Sequence, residues 1–578
     1  MASDRAAAGV VADARAARPC QRRPRRVTLG RSDDPPPGAA AVTPLVFVLT
    51  FLLLAQESPV SEELLTVAER SGFTQTARHA DVVALLDALA GSSRLASRAR
   101  LGSSSEGREL PLLIIADPPV SDSAGARAAV ASGKLLVLAF ANIHAGEVCG
   151  KAALPMLARE LLASPDADDH RAWLDGLVLV LAPIYNADGN ERFAPDNRPG
   201  QDGPEQMGVR PNAMGLDLNR DYMKLEAPET RAMVRFLHAW EPQLVIDLHT
   251  TNGSLHRYDL TWSPPLNPAG PAAPLALVRE RMLPQVRRDL AARAGIDTFP
   301  YGNFADDHER WETYSSLPRF GAQYHGLRGH LSVLSEAYSK VSFERRVVAT
   351  QEFVSELLTW TANHLDEVRD AYTQGRYDTL ARGARGGDLV AIRHELARAP
   401  FDVTVKAWVE TLDARGEAAR TDEPLERRVQ HWDHFEPTAF VRRPRAYLVP
   451  ASQTALLEVL ALHGIASHAL PEAAAGAEVE LEVYRLDTLS AGADAYLGHG
   501  TPEVSATPRR ETRHLNVEAG WVVVPTAQAL GTLVVHLLEP EAEDALAPVL
   551  LGEQLQAGSD YAVLRVISAP AALLTPGG

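Results

Sequence analysis

Cysteine is nearly absent: Cys20 and Cys149 are the only two in 578 residues, too few for a disulfide framework. Lysine is almost as rare, 5 against 52 arginines among the 57 basic residues, a bias that with abundant alanine reads as genome composition rather than function. Positive charge is short overall. The net charge is −17, and residues 1–40 hold 8 Arg against 4 Asp, so the rest of the chain carries −21. An acidic body lacks the basic face that nucleic-acid binding needs. It favours solubility and names no substrate. The apolar run PLVFVLTFLLLA (44–55) is short of the roughly 20 residues that span a bilayer. Followed by QESPVSEE, it reads as the core of a signal peptide cleaved near Ala55, with an uncleaved anchor as the alternative. No cysteine adjoins it to carry a lipid. Residues 1–40, rich in Arg, Ala and Pro and ending in DDPPPGAAA, read as disordered.

What is present is an ordinary globular composition, 46% hydrophobic and 23% charged, in a chain too long for one ordinary core. The texture predicts a leader over 1–56, an α/β domain over 57–375 and a smaller α/β-mixed accessory domain over 385–578. In the first domain, residues 60–100 read as helical, with VVALLDALA (82–90) giving an apolar face, and LGSSSEGREL (101–110) is a turn into the strand LPLLIIAD (110–117). Further strands are LLVLAFA (135–141) and the start of GLVLVLAPIYNADGNERF (176–193), whose Asn186, Asp188 and Gly189 read as a turn. Helices are expected from about Glu147 to Leu162, over 226–240 with Pro228 near the start, over 272–294 and over 341–373. Long polar loops occupy 194–218 and 250–271, lengths that in compact domains go with function or mobility. In the accessory domain FDVTVKAWVETLD, AYLVP, VELEVYRLD and WVVVP are strand-like, with QTALLEVLALHG and AQALGTLVVHLL as helices. No metal-ligand or nucleophile constellation appears there.

Chemistry gathers at three strand ends. LLVLAFA runs into ANIHAGEVCG, which offers His144 and Glu147; QLVIDLHT (243–250) ends in His249; HLSVLSEAYS (330–339) delivers Glu336. In open α/β sheets ligands bind beyond the carboxyl ends of the strands, so these groups are set to converge. Two histidines and a carboxylate suit Zn²⁺, with a position left for water. Cys149, beside Glu147, reads as a small buried apolar residue.

The ordered set, HxxE, then Asn219-Arg220 within GLDLNRDY, then His249 and Glu336, resembles the carboxypeptidase A-like zinc peptidases over roughly residues 60–370. The resemblance implies a mixed central sheet with helices on both faces and one Zn²⁺ held by His144, Glu147 and His249. It implies Glu336 as general base, Asn219 and Arg220 holding a free C-terminal carboxylate, and Asp217 orienting a zinc-bound histidine. It also implies an arginine for the oxyanion, for which Arg210 is the candidate ahead of Arg192 and Arg198. A tyrosine over the pocket is implied as well, with Tyr324 preferred to Tyr314. Asp221, where the family usually has Asn, puts a carboxylate next to the expected pocket, and Arg319 and Arg328 are either further carboxylate contacts or surface charges. The expected activity is an exported, zinc-dependent carboxypeptidase acting on peptides with a free C-terminal carboxylate, with no nucleic-acid partner and membrane contact only through an uncleaved leader. The alternatives are an N-acyl amino acid deacylase or cell-wall peptide amidase on the same fold, and a binding module without catalysis.

Overall fold

The computed structural model describes residues 61–574 except Asn252, 413–417, 473–475, 497–498 and 516–519. The leader that reads as disordered and the signal-peptide-like run lie outside the described residues. Among the described residues no helix is long and apolar enough to cross a membrane.

The central sheet has eight strands: β1 (Ala96–Ser103), β2 (Glu109–Ile115), β3 (Leu135–Ala141), β4 (Leu177–Ala182), β5 (Leu244–Thr251), β6 (Leu260–Ser263), β7 (Thr298–Pro300) and, after β8 (Asn303–Ala305) and β9 (Arg310–Glu312) leave for a second sheet, β10 (Leu331–Tyr338). Their spatial order is β1-β2-β4-β3-β5-β10-β6-β7, with β4, β3, β5 and β10 parallel and β1, β2 and β6 antiparallel to their neighbours on the inner side. The sheet is mixed, as expected. Its inner strands read as unbroken apolar runs because both faces are covered. Leu135, Val137 and Ala139 of β3 face one core with Ile246 and Leu248 of β5; Leu136, Leu138 and Phe140 face the other with Val245. The polar Asp247 and His249 continue the second face toward the strand end.

Helices Cys149–Ala163, Phe343–Asn363 and Leu283–Ala294 cover the first face. The single helix expected over 341–373 is two, Phe343–Asn363 and Leu365–Arg385, broken at His364 where φ is −131° and ψ 36°. The segment 272–294 is helical throughout, with a wider turn over Leu277–Met282. The helix expected over 60–100 ends at Ser92, and β1 takes its last residues, unexpected because its sequence ASRARLGS lacks an apolar run. The turn before β2 and the Asn186–Gly189 turn lock each other: buried Asp188 accepts from Ser104 Oγ (2.6 Å), Glu106 N (2.8 Å) and Arg108 Nη1 (2.7 Å). Asn186 caps the short helix Ala187–Glu191 by accepting from Gly189 N.

Two long ribbons were legible only in part. β11 (Leu389–Leu412) pairs with β12 (Ala418–Arg442), and β12 adds in parallel to β9. A third sheet joins β13 (Ala446–Pro450), β14 (His468–Ala469), β15 (Glu478–Tyr496), β16 (His499–His514), β17 (Trp521–Pro525) and β18 (Leu564–Ser568) in the order β14-β17-β13-β18-β15-β16. Tyr447, Tyr484 and Val524 of that sheet belong to the same buried cluster as Phe140, Tyr185 and Tyr222.

That cluster surrounds a buried histidine. Both ring nitrogens of His325 are buried without a hydrogen-bond partner, and the ring stands edge-on to Phe140 and Tyr222. Burial, with the Arg328 charge adding, lowers its pKa from 6.5 to about 3. The unfolded chain therefore takes up a proton below its own value that the folded chain refuses. This contribution is present above the unfolded value and is lost as pH falls toward 3, at about 1.4 kcal/mol per pH unit. Thermal unfolding followed from about pH 7 to about pH 4.5 should show a smaller loss of Tm for His325→Phe than for the wild type. Equal losses would show that this ring does not titrate with unfolding.

Candidate metal centre and substrate site

The metal loop begins where β3 stops. Asn142 takes a left-handed backbone (φ 65°), which asparagine tolerates better than most residues, and its Nδ2 donates to Ala145 O (3.1 Å) and Glu147 O (3.2 Å). This folds His144 and Glu147 back toward the sheet ahead of helix Cys149–Ala163. Gly146 is required by close approach: a Cβ there would stand 2.6 Å from Arg198 Cγ and 2.9 Å from Gly208 O. From the other side Asn186 Nδ2 donates to both Ile143 O (3.3 Å) and Arg210 O (3.1 Å), tying the loop to the long 194–218 segment.

His144, Glu147 and His249 are buried, and one ligand atom from each lies within 4.8 Å of the others, so the group can hold a metal ion. Glu147 Oε1 is 2.9 Å from His144 Nδ1 and its Oε2 3.0 Å from His249 Nδ1, so both histidines turn the same nitrogen inward. Their other nitrogens meet carboxylates. His144 Nε2 is 3.1 Å from Asp217 Oδ1, and His249 Nε2 is 2.9 Å from Asp247 Oδ1, the latter off the line of a hydrogen bond. A carboxylate behind a ligand histidine fixes its tautomer and raises its basicity. Asp247 did not stand out in the sequence, although an acid two residues before His249 in an otherwise apolar strand, hence on the same face, was a readable signal.

The charges are dense. Burial pushes the Glu147 carboxyl up, but the charges of His144 and Arg198 and hydrogen bonds from both histidines hold it well below the usual range. Burial lowers His249, yet Asp247 and Glu147 raise it well above the usual value. Glu336 is the parallel neighbour of His249 in the β10–β5 register. Burial, aided by Glu147 and Asp247 and opposed by His249 and Arg198, raises its pKa to about 8. Its Oε2 is buried without a partner.

The arginines sort by what they touch. Arg210 Nε and Nη2 both lie 2.9 Å from Asp217 Oδ2, and its Nη1 is 3.4 Å from His144 Nδ1. Arg198 donates to Glu147 Oε1 (3.0 Å) and Thr250 O (2.6 Å). Arg192 is exposed, 3.5 Å from Glu106. Arg220 stacks on the Phe320 ring (3.8 Å) and donates to Asn219 O, while Asn219 Oδ1 accepts from Gly321 N (2.7 Å).

Four readings move. Tyr324 is not at the metal group: its buried hydroxyl pairs with His463 Nδ1 (2.7 Å) and accepts from Arg328 Nη1 (3.1 Å). Tyr314 and Tyr301, ring to ring at 5.5 Å, are the tyrosines that feel Glu336; burial raises both, Tyr301 to about 12. Asp221 turns into the protein and accepts from Glu226 N and Ala227 N, so it is a turn cap rather than a pocket carboxylate. Arg319 pairs with Asp544, and Arg328 with Tyr324 and His463 O, so neither is a loose surface charge.

A mixed α/β sheet here gathers two histidines, a glutamate and a further acid at its strand ends, a group able to hold a metal ion. Residues 82–326 match the family model described as zinc carboxypeptidase, a match that stops short of the strand carrying Glu336. Carboxypeptidase 2 of Trichophyton tonsurans is 24% identical over 80% of this chain and 81% of its own, and that of Trichophyton rubrum 23% identical over 78% and 80%. Among solved structures, the metallo-carboxypeptidase from Pseudomonas aeruginosa in complex with (2-guanidinoethylmercapto)succinic acid is 21% identical, with a TM-score of 0.37 over 50% of this chain and 69% of that one. A metallo-carboxypeptidase from Burkholderia cenocepacia is 18% identical, with a TM-score of 0.36 over 49% and 68%. Residues 82–326 are thus similar to the zinc carboxypeptidases, and these likenesses indicate a peptide-bond hydrolase.

If Asp217 and Asp247 hold their histidines for a metal, Asp217→Ala and Asp247→Ala should each weaken zinc binding by about 10–100-fold. Competition with a chromogenic chelator reads this directly. Wild-type affinity in Asp247→Ala would leave that carboxylate a packing residue.

Proposed function

We propose that this chain is a zinc-dependent carboxypeptidase that hydrolyses the C-terminal peptide bond of peptides, with Glu336 as general base. The observation that carries the reading is register: Glu336 lies beside His249, its Oε2 buried and without a partner. His144, Glu147 and His249 would hold one zinc ion. When bound, zinc supplies the Lewis acidity that makes water nucleophilic near neutral pH and polarises the scissile carbonyl.

The remaining work falls to side chains. Glu336 takes the proton of the attacking water and returns it to the leaving amine. A carboxyl raised to about 8 can keep that proton between the two events, and a dication nearby would bring it down toward neutrality. Arg210, held on Asp217 and 3.4 Å from His144 Nδ1, supplies positive charge for the tetrahedral oxyanion. Arg198 is already committed to Glu147 and Thr250, so its part is to hold the ligand carboxylate. Arg220 offers the planar fork that matches a carboxylate, kept flat by Phe320, and Asn219, its oxygen taken by Gly321, offers its amide N–H groups. A terminal carboxylate recognised there brings only the last peptide bond to Glu336, which makes the enzyme an exopeptidase. Tyr314 is the tyrosine for the pocket. Export through the 44–55 segment, outside the described residues, completes the reading.

The test is release of free amino acids from a mixed peptide library. Release from C-termini should vanish on chelation and return with zinc. Glu336→Gln should bind zinc normally and lose about 10²–10⁴ in kcat. Arg220→Ala should act on peptides mainly through KM. A zinc-loaded protein that frees no C-terminal residue would overturn the peptidase reading and direct attention to acyl amino acids and cell-wall peptides.

A further inference from the structure

A cavity of about 620 Å³ opens between helix Leu283–Ala294, the β6–β7 edge and the β11–β12 ribbon. It is separate from the metal group and lined by none of its residues. Its volume falls in the range of ligand pockets, which are mostly apolar with a few polar groups that fix orientation. Trp262 and Phe299 form the inner wall, and Phe401, 59% exposed, stands at the ribbon side with Val403. A large aromatic left this exposed beside a cavity is surface that an apolar occupant would cover.

Three guanidinium groups share this lining: Arg279, Arg287 and Arg288. Among the described residues none of the three has a carboxylate within 4.0 Å. Arg287 lies over the Phe299 ring at 5.0 Å, Arg279 donates to the backbone oxygen of Asp433 (2.9 Å), and Arg288 donates to Gln285. The two acids in the lining are engaged elsewhere: Asp297 pairs with Lys406, and Asp433 lies 2.8 Å from His434 Nδ1. The cavity therefore combines apolar walls with positive charge that the protein itself leaves without an anion.

We propose that this cavity is a binding site for an amphiphilic carboxylate, an aliphatic or aromatic body ending in one carboxylate group, with the body on Trp262, Phe299 and Phe401 and the carboxylate on Arg287. A guanidinium fork accepts a carboxylate in two-point geometry, and that contact is worth more than one to a neutral oxygen. The site has a route to the metal group. Tyr301 and Thr313 also line it; Thr313 N donates to Trp432 O of the ribbon (2.9 Å), and Tyr301 stands against Tyr314 beside Glu336. An occupant thus rests on the back of both tyrosine segments.

The test is isothermal titration of the full chain with decanoate, with decanamide and acetate as the uncharged and the body-less controls. Saturable one-to-one binding of decanoate is expected, with decanamide and acetate each weaker. Arg287→Ala and Phe401→Ser should each weaken decanoate about tenfold, the loss of one charge-assisted contact or one apolar wall, with unchanged thermal unfolding. Arg281→Ala, on the same helical stretch but outside the lining, should bind as the wild type does. No saturable binding at millimolar decanoate, or equal affinity in Arg287→Ala and wild type, would overturn the proposal. Equal affinity for decanamide would reject the carboxylate half of it. Because the readout is binding heat, it stands whether or not peptides prove to be the substrate.

Discussion

Three carboxylates, Glu147, Asp217 and Asp247, with the Glu336 carboxyl beside them, converge on two histidines at the end of a buried sheet, and the protein has to balance that charge. Charges taken out of water persist only when paired, so the surroundings are set by that demand. It brings Arg198 and Arg210 down from the long 194–218 segment, fixes Asn186 as the anchor that holds that segment to the metal loop, and leaves no room for a side chain at Gly146. The arginines balance part of the negative charge. His144, Glu147 and His249 form a group that could hold a metal ion, whose charge would balance the remainder.

The sheet supplies the geometry that makes this concentration of charge possible. Parallel pairing of β5 with β10 sets His249 opposite Glu336, and β3 runs parallel on the other side of β5, so its end delivers His144 and Glu147 to the same rim. A one-residue slip in β10 would turn Glu336 to the opposite face, into the aliphatic core of Ile246 and Leu248. Register is protected by burial on both faces, which is why the site sits on inner strands of the sheet rather than at an exposed edge.

That burial also explains what the sequence made legible. Strands buried on both sides are apolar runs, and a polar residue that ends such a run stands out: His144, Glu147, His249 and Glu336 were visible for this reason. Asp247 was hidden by its neighbour His249, which accounted for the polarity of the strand end by itself. Tyr324 misled because chain proximity to β10 says nothing about side-chain direction; its hydroxyl is claimed by His463, which follows it by 139 positions and arrives only through the third sheet. β12 and β16 escaped notice because ribbons with much exposed surface carry arginines, glutamates and prolines, and their alternation is diluted. The helix break at His364 had no glycine or proline to announce it.

The ribbon β11–β12 bears on how the gene product can be divided. Val405 and Val429 of the ribbon are buried with Tyr258, Phe299 and Trp311, residues that follow the His249 strand and precede Glu336. His256, whose ring stacks on Tyr338 at 3.9 Å, bridges to Ala407, and Lys406 O accepts from Arg257 N. A shortened protein ending near residue 385 would keep every residue of the metal group and yet expose this aromatic cluster to water. Its loops over 253–259 and 300–313 would lose the strand they lean on. Chemistry and stability thus have different minimal lengths in this chain, and a fragment chosen by motif alone would contain the first without the second.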